Sequence, residues 1–142
     1  MFEMYTRWEK AIHHKDRDRD QMERFVCNSP VFDPEVDKDF LNSPCLLEPK
    51  DLDKRRAHID EGIYAGYGSF HIYHRIDGKL VAVGCIDVLK TMLNSGYFFY
   101  DPDYSFLYLG VVGAIREIEY MRLIKEKYNP GIKWYELGEM VV

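Results

Sequence analysis

The stretch on either side of Asp77-Gly78 constrains this chain more than any other feature. Ser69-Phe70-His71-Ile72-Tyr73-His74-Arg75-Ile76 alternates in polarity and is rich in strand formers. Asp-Gly suits a two-residue hairpin turn, because both positions tolerate the positive φ that such a turn requires. The returning run Lys79-Leu80-Val81-Ala82-Val83-Gly84-Cys85-Ile86-Asp87-Val88-Leu89 is apolar at successive positions. A strand that is apolar on both faces belongs in the middle of a sheet with cover on each side. The chain must therefore supply at least one more strand and helices for two faces.

Both are present. Thr91–Gly96 reads as a turn, and Tyr97-Phe98-Phe99-Tyr100 as a third strand that stops at Asp101-Pro102-Asp103, where proline cannot donate to a ladder. Leu109-Gly110-Val111 opens a long helix. Its apolar stripe is expected to be Val112, Ile115, Ile118, Met121, Leu123 and Ile124, with Arg116, Glu117, Glu119, Arg122 and Lys125 turned outward. Asn129-Pro130-Gly131 ends that helix, and Ile132–Leu137 can form one more strand. The order hairpin, strand, helix, strand defines an α/β sheet flanked by helices.

Upstream, Phe2, Tyr5, Trp8 and Ile12 fall on one face of an amphipathic helix. The alternating run His13-His14-Lys15-Asp16-Arg17-Asp18-Arg19-Asp20 reads as a solvated loop. A short helix over Gln21–Cys27 follows, with Asp20 as its N-cap and Met22, Phe25 and Val26 turned inward. From Asn28 to Lys50 the four prolines Pro30, Pro34, Pro44 and Pro49 break any period, and Asp51–Gly62 reads as a short polar helix. The organisation is a single domain over 1–142, with a helical start at 1–27, a proline-rich crossover at 28–65 and the sheet-bearing core at 66–142.

Composition narrows the function classes. With 142 residues and 46% hydrophobic content the chain can bury a real core. Its formal charge of −5 repels nucleic acid as a whole, so any RNA contact must use a local basic patch. Cys27, Cys45 and Cys85 are odd in number and show no C-x-x-C spacing, against a disulfide framework or a zinc site built from cysteine alone. No apolar stretch approaches the roughly 20 residues that span a bilayer, and MFEMYTRWEK carries no signal-peptide core. The expectation is a cytosolic or nuclear protein without a membrane partner.

Strand, strand, helix, strand with a polar break after the third strand resembles the GCN5-type N-acyltransferase fold. Four stretches narrow that likeness: Gly66-Tyr67-Gly68-Ser69-Phe70-His71; the run from Asp77 through Ile86-Asp87-Val88-Leu89; Tyr97-Phe98-Phe99-Tyr100-Asp101-Pro102-Asp103-Tyr104-Ser105-Phe106-Leu107; and Leu109-Gly110-Val111 with Arg116-Glu117-Ile118. In order and spacing they are similar to eukaryotic arginyltransferases, as are Tyr5-Thr6-Arg7-Trp8 and Arg24-Phe25-Val26-Cys27-Asn28-Ser29-Pro30 upstream. The resemblance implies transfer of arginine from arginyl-tRNA to the α-amine of proteins that begin with Asp, Glu or oxidised Cys, marking them for N-degron-dependent degradation. It thins after Lys127, so the domain is expected to be truncated at its C-terminus. The family's cysteine-rich N-terminal region, with any metal or iron–sulfur cluster, is expected outside this chain, leaving arginyl-tRNA as co-substrate and no resident cofactor.

An aminoacyl ester is already activated. The enzyme need only position a neutral amine against the carbonyl and accept its proton. Asp87 is the first candidate, a carboxylate in an otherwise apolar strand, where a partner such as the incoming guanidinium would offset its burial; the bland alternative is a strand-end cap. Asp101 and Asp103 are candidates for holding the guanidinium or orienting the amine, although Asp-Pro-Asp is also ordinary turn chemistry. Tyr100 and Tyr104 can stack on the terminal adenine or fill the core. The backbone N–H groups at Leu109 and Gly110 open a helix and can meet an oxyanion or a phosphate. For an acidic acceptor residue the candidate cations are Arg7, Arg24 and His71. Two other classes stay open: an acetyl-CoA-dependent N-acetyltransferase, although Ser105–Gly110 lacks a glycine-rich pyrophosphate loop, and a non-catalytic copy that binds protein N-termini.

Overall fold

The computed structural model describes residues 1–26, 31, 68–89, 91–127 and 130–138. The expected crossover at 28–65, its polar helix, and Cys27 and Cys45 lie outside the described residues, apart from Val31. Strand β1 (Gly68–Ile76) turns through Asp77 and Gly78, whose φ angles of 48° and 80° are those a type I′ turn requires, into β2 (Lys79–Val88). Strand β3 (Met92–Tyr100) lies antiparallel on the other side of β2, and β4 (Trp134–Glu136) pairs parallel with the first residues of β3. The sheet order is β1-β2-β3-β4, so β2 is an interior strand, and Val81, Ala82, Val83, Ile86 and Val88 are buried along it.

Strand β3 starts earlier than its sequence suggests. Asn94-Ser95-Gly96 has turn composition, yet Val88 pairs with Leu93 and Ile86 with Ser95, while Cys85 pairs with Tyr97. Gly96 is the extra residue of a β-bulge, and Leu93 is fully buried in the core beneath it. The turn falls before Met92, whose carbonyl accepts from the Leu89 N–H at 2.9 Å.

Helix α1 (Phe2–Trp8) runs into a π-helical turn, Glu9–His13, which stops at His14 in the left-handed conformation, φ 56°. The wider turn rotates the face, so Tyr5 and Trp8 are buried while Ile12 is exposed, contrary to the single stripe expected. Helix α2 (Arg19–Val26) is capped by Asp18, not Asp20: Asp18 Oδ1 accepts from the Gln21 N–H at 2.7 Å and Gln21 Oε1 from the Asp18 N–H at 3.0 Å. Met22 and Val26 point inward, but Phe25 is half exposed. Together α1 and α2 cover one face of the sheet over Val83 and Phe99.

After a 3₁₀ segment (Pro102–Leu107), helix α3 (Leu109–Lys127) covers the other face. It buries Leu109, Gly113, Glu117 and Ile124, leaving Val112, Ile115 and Leu123 substantially exposed. The expected apolar stripe is therefore kept only in part, with Ile124 buried and Ile118 and Met121 half-buried, and the closest approach to the sheet is made instead by Gly113 and Glu117; glycine is the reason. A Cβ on Gly113 would lie 2.3 Å from Phe98 Cε2, and one on Gly84 would lie 2.7 Å from Glu117 Oε1. Two glycines let α3 settle close to the sheet, and Glu117 fills the space above Gly84, where an apolar count would not place it.

Candidate active-site cleft

On the face covered by α1 and α2, a cleft of about 290 Å³ opens between the end of α2 and the Gly96 bulge. Arg24, His71 and Asp87, drawn from α2, β1 and β2, all line it. Ser69 is paired directly with Asp87 across the β1–β2 ladder, and His71 with Cys85, so His71 and Asp87 are diagonal neighbours on one face. Asp87 Oδ1 accepts from Ser69 Oγ at 2.5 Å, and Oδ2 from Asn94 Nδ2 at 3.4 Å. These donors are side chains across the strands, not the backbone of the following turn, and no cation pairs with Asp87 among the described residues. Opposite it, the missing side chain of Gly96 keeps the floor open: a Cβ there would sit 3.8 Å from Asp87 Oδ2.

His71 is held by α2. Its Nε2 lies 2.8 Å from the Val26 carbonyl oxygen. A carbonyl only accepts, so Nε2 carries hydrogen and a neutral ring keeps Nδ1 as an acceptor. The cleft thus combines a carboxylate held by neutral donors, an imidazole with one acceptor nitrogen, and the exposed guanidinium of Arg24.

The remaining candidates gather at the other end of the sheet. Tyr100 pairs with Ala82, five residues along β2 from Asp87, about 16 Å at the usual strand rise. There Arg7 bridges Asp101 (Nη1 to Oδ1, 3.0 Å) and Asp103 (Nη2 to Oδ1, 2.8 Å), while Lys79 Nζ approaches Asp101 Oδ2 at 3.1 Å. Asp101 Oδ1 also accepts from the Asp103 N–H at 3.2 Å, which caps the 3₁₀ segment. The Asp101 side chain is only 6% exposed. Burial pushes its carboxyl up, but the Lys79 hydrogen bond, the Asp103 N–H and the Arg7 charge outweigh it and hold the carboxyl below its ordinary value.

Arg7, expected for the acceptor, and Asp101 and Asp103, expected to hold the guanidinium or orient the amine, are paired with one another here. Asp103 remains exposed; Asp101 is enclosed by its partners. Tyr100 packs edge-on against Trp8, and Tyr104 lies under Lys79, whose Nζ is 4.8 Å from the ring centroid. At the start of α3 the Tyr108 carbonyl takes the Val111 and Val112 N–H groups, leaving those of Leu109 and Gly110 without an acceptor among the described residues.

Two buried acids were not foreseen. Glu9 is 4% exposed and accepts from Tyr97 Oη at 2.5 Å and from Arg17 Nε at 3.1 Å. Burial, then the bond to Glu9, raises the Tyr97 phenol well above its ordinary value. Glu117 accepts from Tyr135 Oη at 2.8 Å. Both glutamates sit where helical periodicity assigns solvent, and only the facing Gly84 hinted at a bulky partner for Glu117. Among the described residues no cluster of His, Cys, Asp and Glu is arranged to hold a metal ion, and no helix is long and apolar enough to cross a membrane.

A mixed sheet with a helix crossing from β3 to a parallel β4, and a polar cleft at the bulge between the central strands, belongs to the GCN5-like N-acyltransferase class of architecture. Within that class the family is specific: residues 1–141 match the model for arginine-tRNA-protein transferase, C terminus, and the chain belongs to that family. It is 39% identical to arginyl-tRNA–protein transferase 1 of Drosophila melanogaster over 137 residues, which is 96% of this chain and 24% of the fly protein. The Arabidopsis thaliana protein of the same name is 35% identical over 140 residues, 96% of this chain and 19% of its own length. An aspartate/glutamate leucyltransferase of Campylobacter jejuni is 40% identical over 53 residues, 37% of this chain and 22% of the bacterial protein. The chain spans a quarter or less of the length of these relatives.

Proposed function

We propose that this chain carries the transfer centre of an arginyltransferase, moving arginine from arginyl-tRNA to the N-terminal α-amine of proteins that begin with Asp, Glu or oxidised Cys and so marking them for N-degron-dependent ubiquitination. The observation that carries the reading is Asp87: a carboxylate with two neutral donors and no described cation, facing a cleft open enough for a guanidinium. Family membership supports the donor, since the relatives matched over nearly the whole chain are named for arginyl-tRNA. The name of the bacterial leucyltransferase supports an acidic acceptor.

In this reading Asp87 holds the arginyl guanidinium and fixes the ester carbonyl near the Gly96 bulge. The acceptor's neutral amine attacks that carbonyl. A C–N bond forms, the ester C–O bond breaks, and the ribose hydroxyl leaves with a proton. In this reading His71 Nδ1 takes the proton released by the amine and hands that same proton to the leaving ribose oxygen, while Nε2–H stays anchored on Val26. An α-amino group titrates near 7.7–8.0, so a substantial minority is neutral in the cytosol and positioning supplies much of the rate. Arginyl-tRNA is the co-substrate, and no step calls for a further cofactor.

The test is incubation of the full chain with labelled arginyl-tRNA and peptides beginning with Asp or Ala. Label should pass to the Asp peptide and fall sharply in Asp87→Asn. Transfer that ignores the first residue, or acetylation of the same peptide from acetyl-CoA, would overturn the reading.

A further inference from the structure

A second pocket, of about 260 Å³, lies beside the Asp87 cleft and shares two of its walls, Phe25 and Tyr97. Their rings meet edge to face at 4.7 Å and form a partition between the two spaces. The roof of the second pocket is the charged run that follows α1. Two of its three acids are engaged elsewhere, Asp16 with Lys10 at 3.3 Å and Asp18 as the cap of α2, and the third, Asp20 in the first turn of α2, does not line the pocket. Arg19 reaches away to Glu23 and over the Phe2 ring. What the run turns onto the pocket is the His13 ring and two cations, Lys15 and Arg17, with no acid.

The backbone is built to place them there. The π-helical turn ends at His14 with φ 56°, and the Lys15 N–H closes back onto the Glu9 carbonyl at 3.3 Å, bringing the run across the pocket mouth. Buried Glu9, fixed by Tyr97, takes only the Nε–H of Arg17. The four terminal N–H groups of that guanidinium, and the Lys15 ammonium, have no partner among the described residues. Lys15 and Arg17 contribute +2 and Glu9 contributes −1, a local balance of +1 that suits a single carboxylate better than a polyanion.

We propose that this pocket is the subsite for the acidic side chain of the acceptor's first residue, with Arg17 as the recognising cation, Glu9 as its positioning residue and Lys15 at the mouth. The inference rests on the arginyl-transfer reading and adds the residues that select the acceptor. Arginine held by Asp87 lies on one side of the Phe25–Tyr97 partition and the acceptor carboxylate on the other. The α-amine, one carbon from the acceptor's side chain, then meets the ester carbonyl at the partition.

The experiment measures binding of short peptides beginning with Asp or Asn to the full chain by calorimetry, with adenosine 5′-monophosphate as competitor. The native chain should bind the Asp peptide about tenfold tighter than the Asn peptide, about 1.4 kcal/mol. Arg17→Gln should erase that ratio, Lys15→Gln should lower it about threefold, and Lys125→Gln, at the exposed end of α3 on the other face, should leave it intact. Lys15 is exposed and its ammonium has no partner among the described residues, so its variant reports even if Arg17→Gln melts early. A ratio unchanged in both Arg17→Gln and Lys15→Gln, no preference for Asp in the native chain, or displacement of the Asp peptide by the nucleotide would each overturn the subsite. Arginine transfer without selective Asp binding would sink the subsite alone, whereas selective binding without transfer would sink the transfer reading and leave the carboxylate pocket standing.

Discussion

The two ends of the α1/α2-covered sheet face each hold an aspartate, and the pair differ in what surrounds them. Asp101 is enclosed by two cations and a backbone N–H, so its charge is fully compensated and its carboxylate ties α1 to β2 and to the start of the 3₁₀ segment. Among the described residues Asp87 receives only a hydroxyl and a side-chain amide, and it faces an open cleft. A carboxylate whose compensation is internal serves the fold, whereas Asp87, with neutral donors alone among the described residues, is the one proposed to hold a ligand's cation. Proximity to a conspicuous motif did not separate the two cases; the census of partners does.

The sharpest way to break this comparison is to remove each charge without changing shape. Asp87→Asn should lower arginine transfer about 100-fold, near 2.7 kcal/mol at 1.36 kcal/mol per decade, while the urea midpoint stays in place, since Ser69 and Asn94 are neutral neighbours. Asp101→Asn should do the reverse. It leaves Arg7 and Lys79 facing a neutral group, and with those cations partly in solvent we expect a loss of about 2 kcal/mol of stability and transfer per folded molecule within about twofold of the native chain. A stable but inactive Asp101→Asn protein would place chemistry at the wrong end of the sheet.

Acid titration sharpens the same contrast by a smaller amount. The Asp101 carboxyl is held below its ordinary 3.8 in the folded chain, so the unfolded chain protonates first as pH drops. Its contribution is complete above about 3.8 and is lost as pH falls through the lower folded value. Urea midpoints compared at about pH 5 and about pH 3 should therefore fall further for the native chain than for Asp101→Asn, by about 1 kcal/mol or less. Equal acid slopes would mean that the Arg7–Asp101–Lys79 cluster does not hold the fold together.

Much of this arrangement was legible from residue order, and the exceptions share a cause. Asp77-Gly78 and the apolar run after it specified the hairpin and the interior strand, and with them the position of Asp87 near the end of β2. What failed was reading polar or small residues by average behaviour. Asn94-Ser95-Gly96 spells a turn but forms a bulge, because Leu93 must stay buried while Tyr97 turns to the opposite face. Glu9 and Glu117 spell helix surface but are buried, because Tyr97, Arg17 and Tyr135 supply hydrogen bonds that no local pattern announces. The alternating charges at 13–20 spell a solvated loop, and only the π-helical turn sorts them, with Asp16 and Asp18 engaged elsewhere, Arg17 anchored on Glu9 through its Nε–H, and Lys15 beside it at a pocket.

The smallest predicted effect tests the floor of the Asp87 end. A Cβ added at Gly96 would meet the Cys85 carbonyl oxygen at 3.6 Å and Asp87 Oδ2 at 3.8 Å, both ordinary van der Waals contacts, and Gly96 is not in the left-handed region. Gly96→Ala should therefore change stability by no more than about 0.5 kcal/mol, measured by urea unfolding. Transfer should fall by about threefold or less, because the methyl narrows the cleft without displacing Asp87 from Ser69. Gly113→Ala is the matched control on the opposite face, where the new methyl would meet Phe98 at 2.3 Å and should cost about 2 kcal/mol. If Gly96→Ala proved as costly to stability as Gly113→Ala, the bulge would be packed like the core, and the open cleft that sets Asp87 apart from Asp101 would not exist.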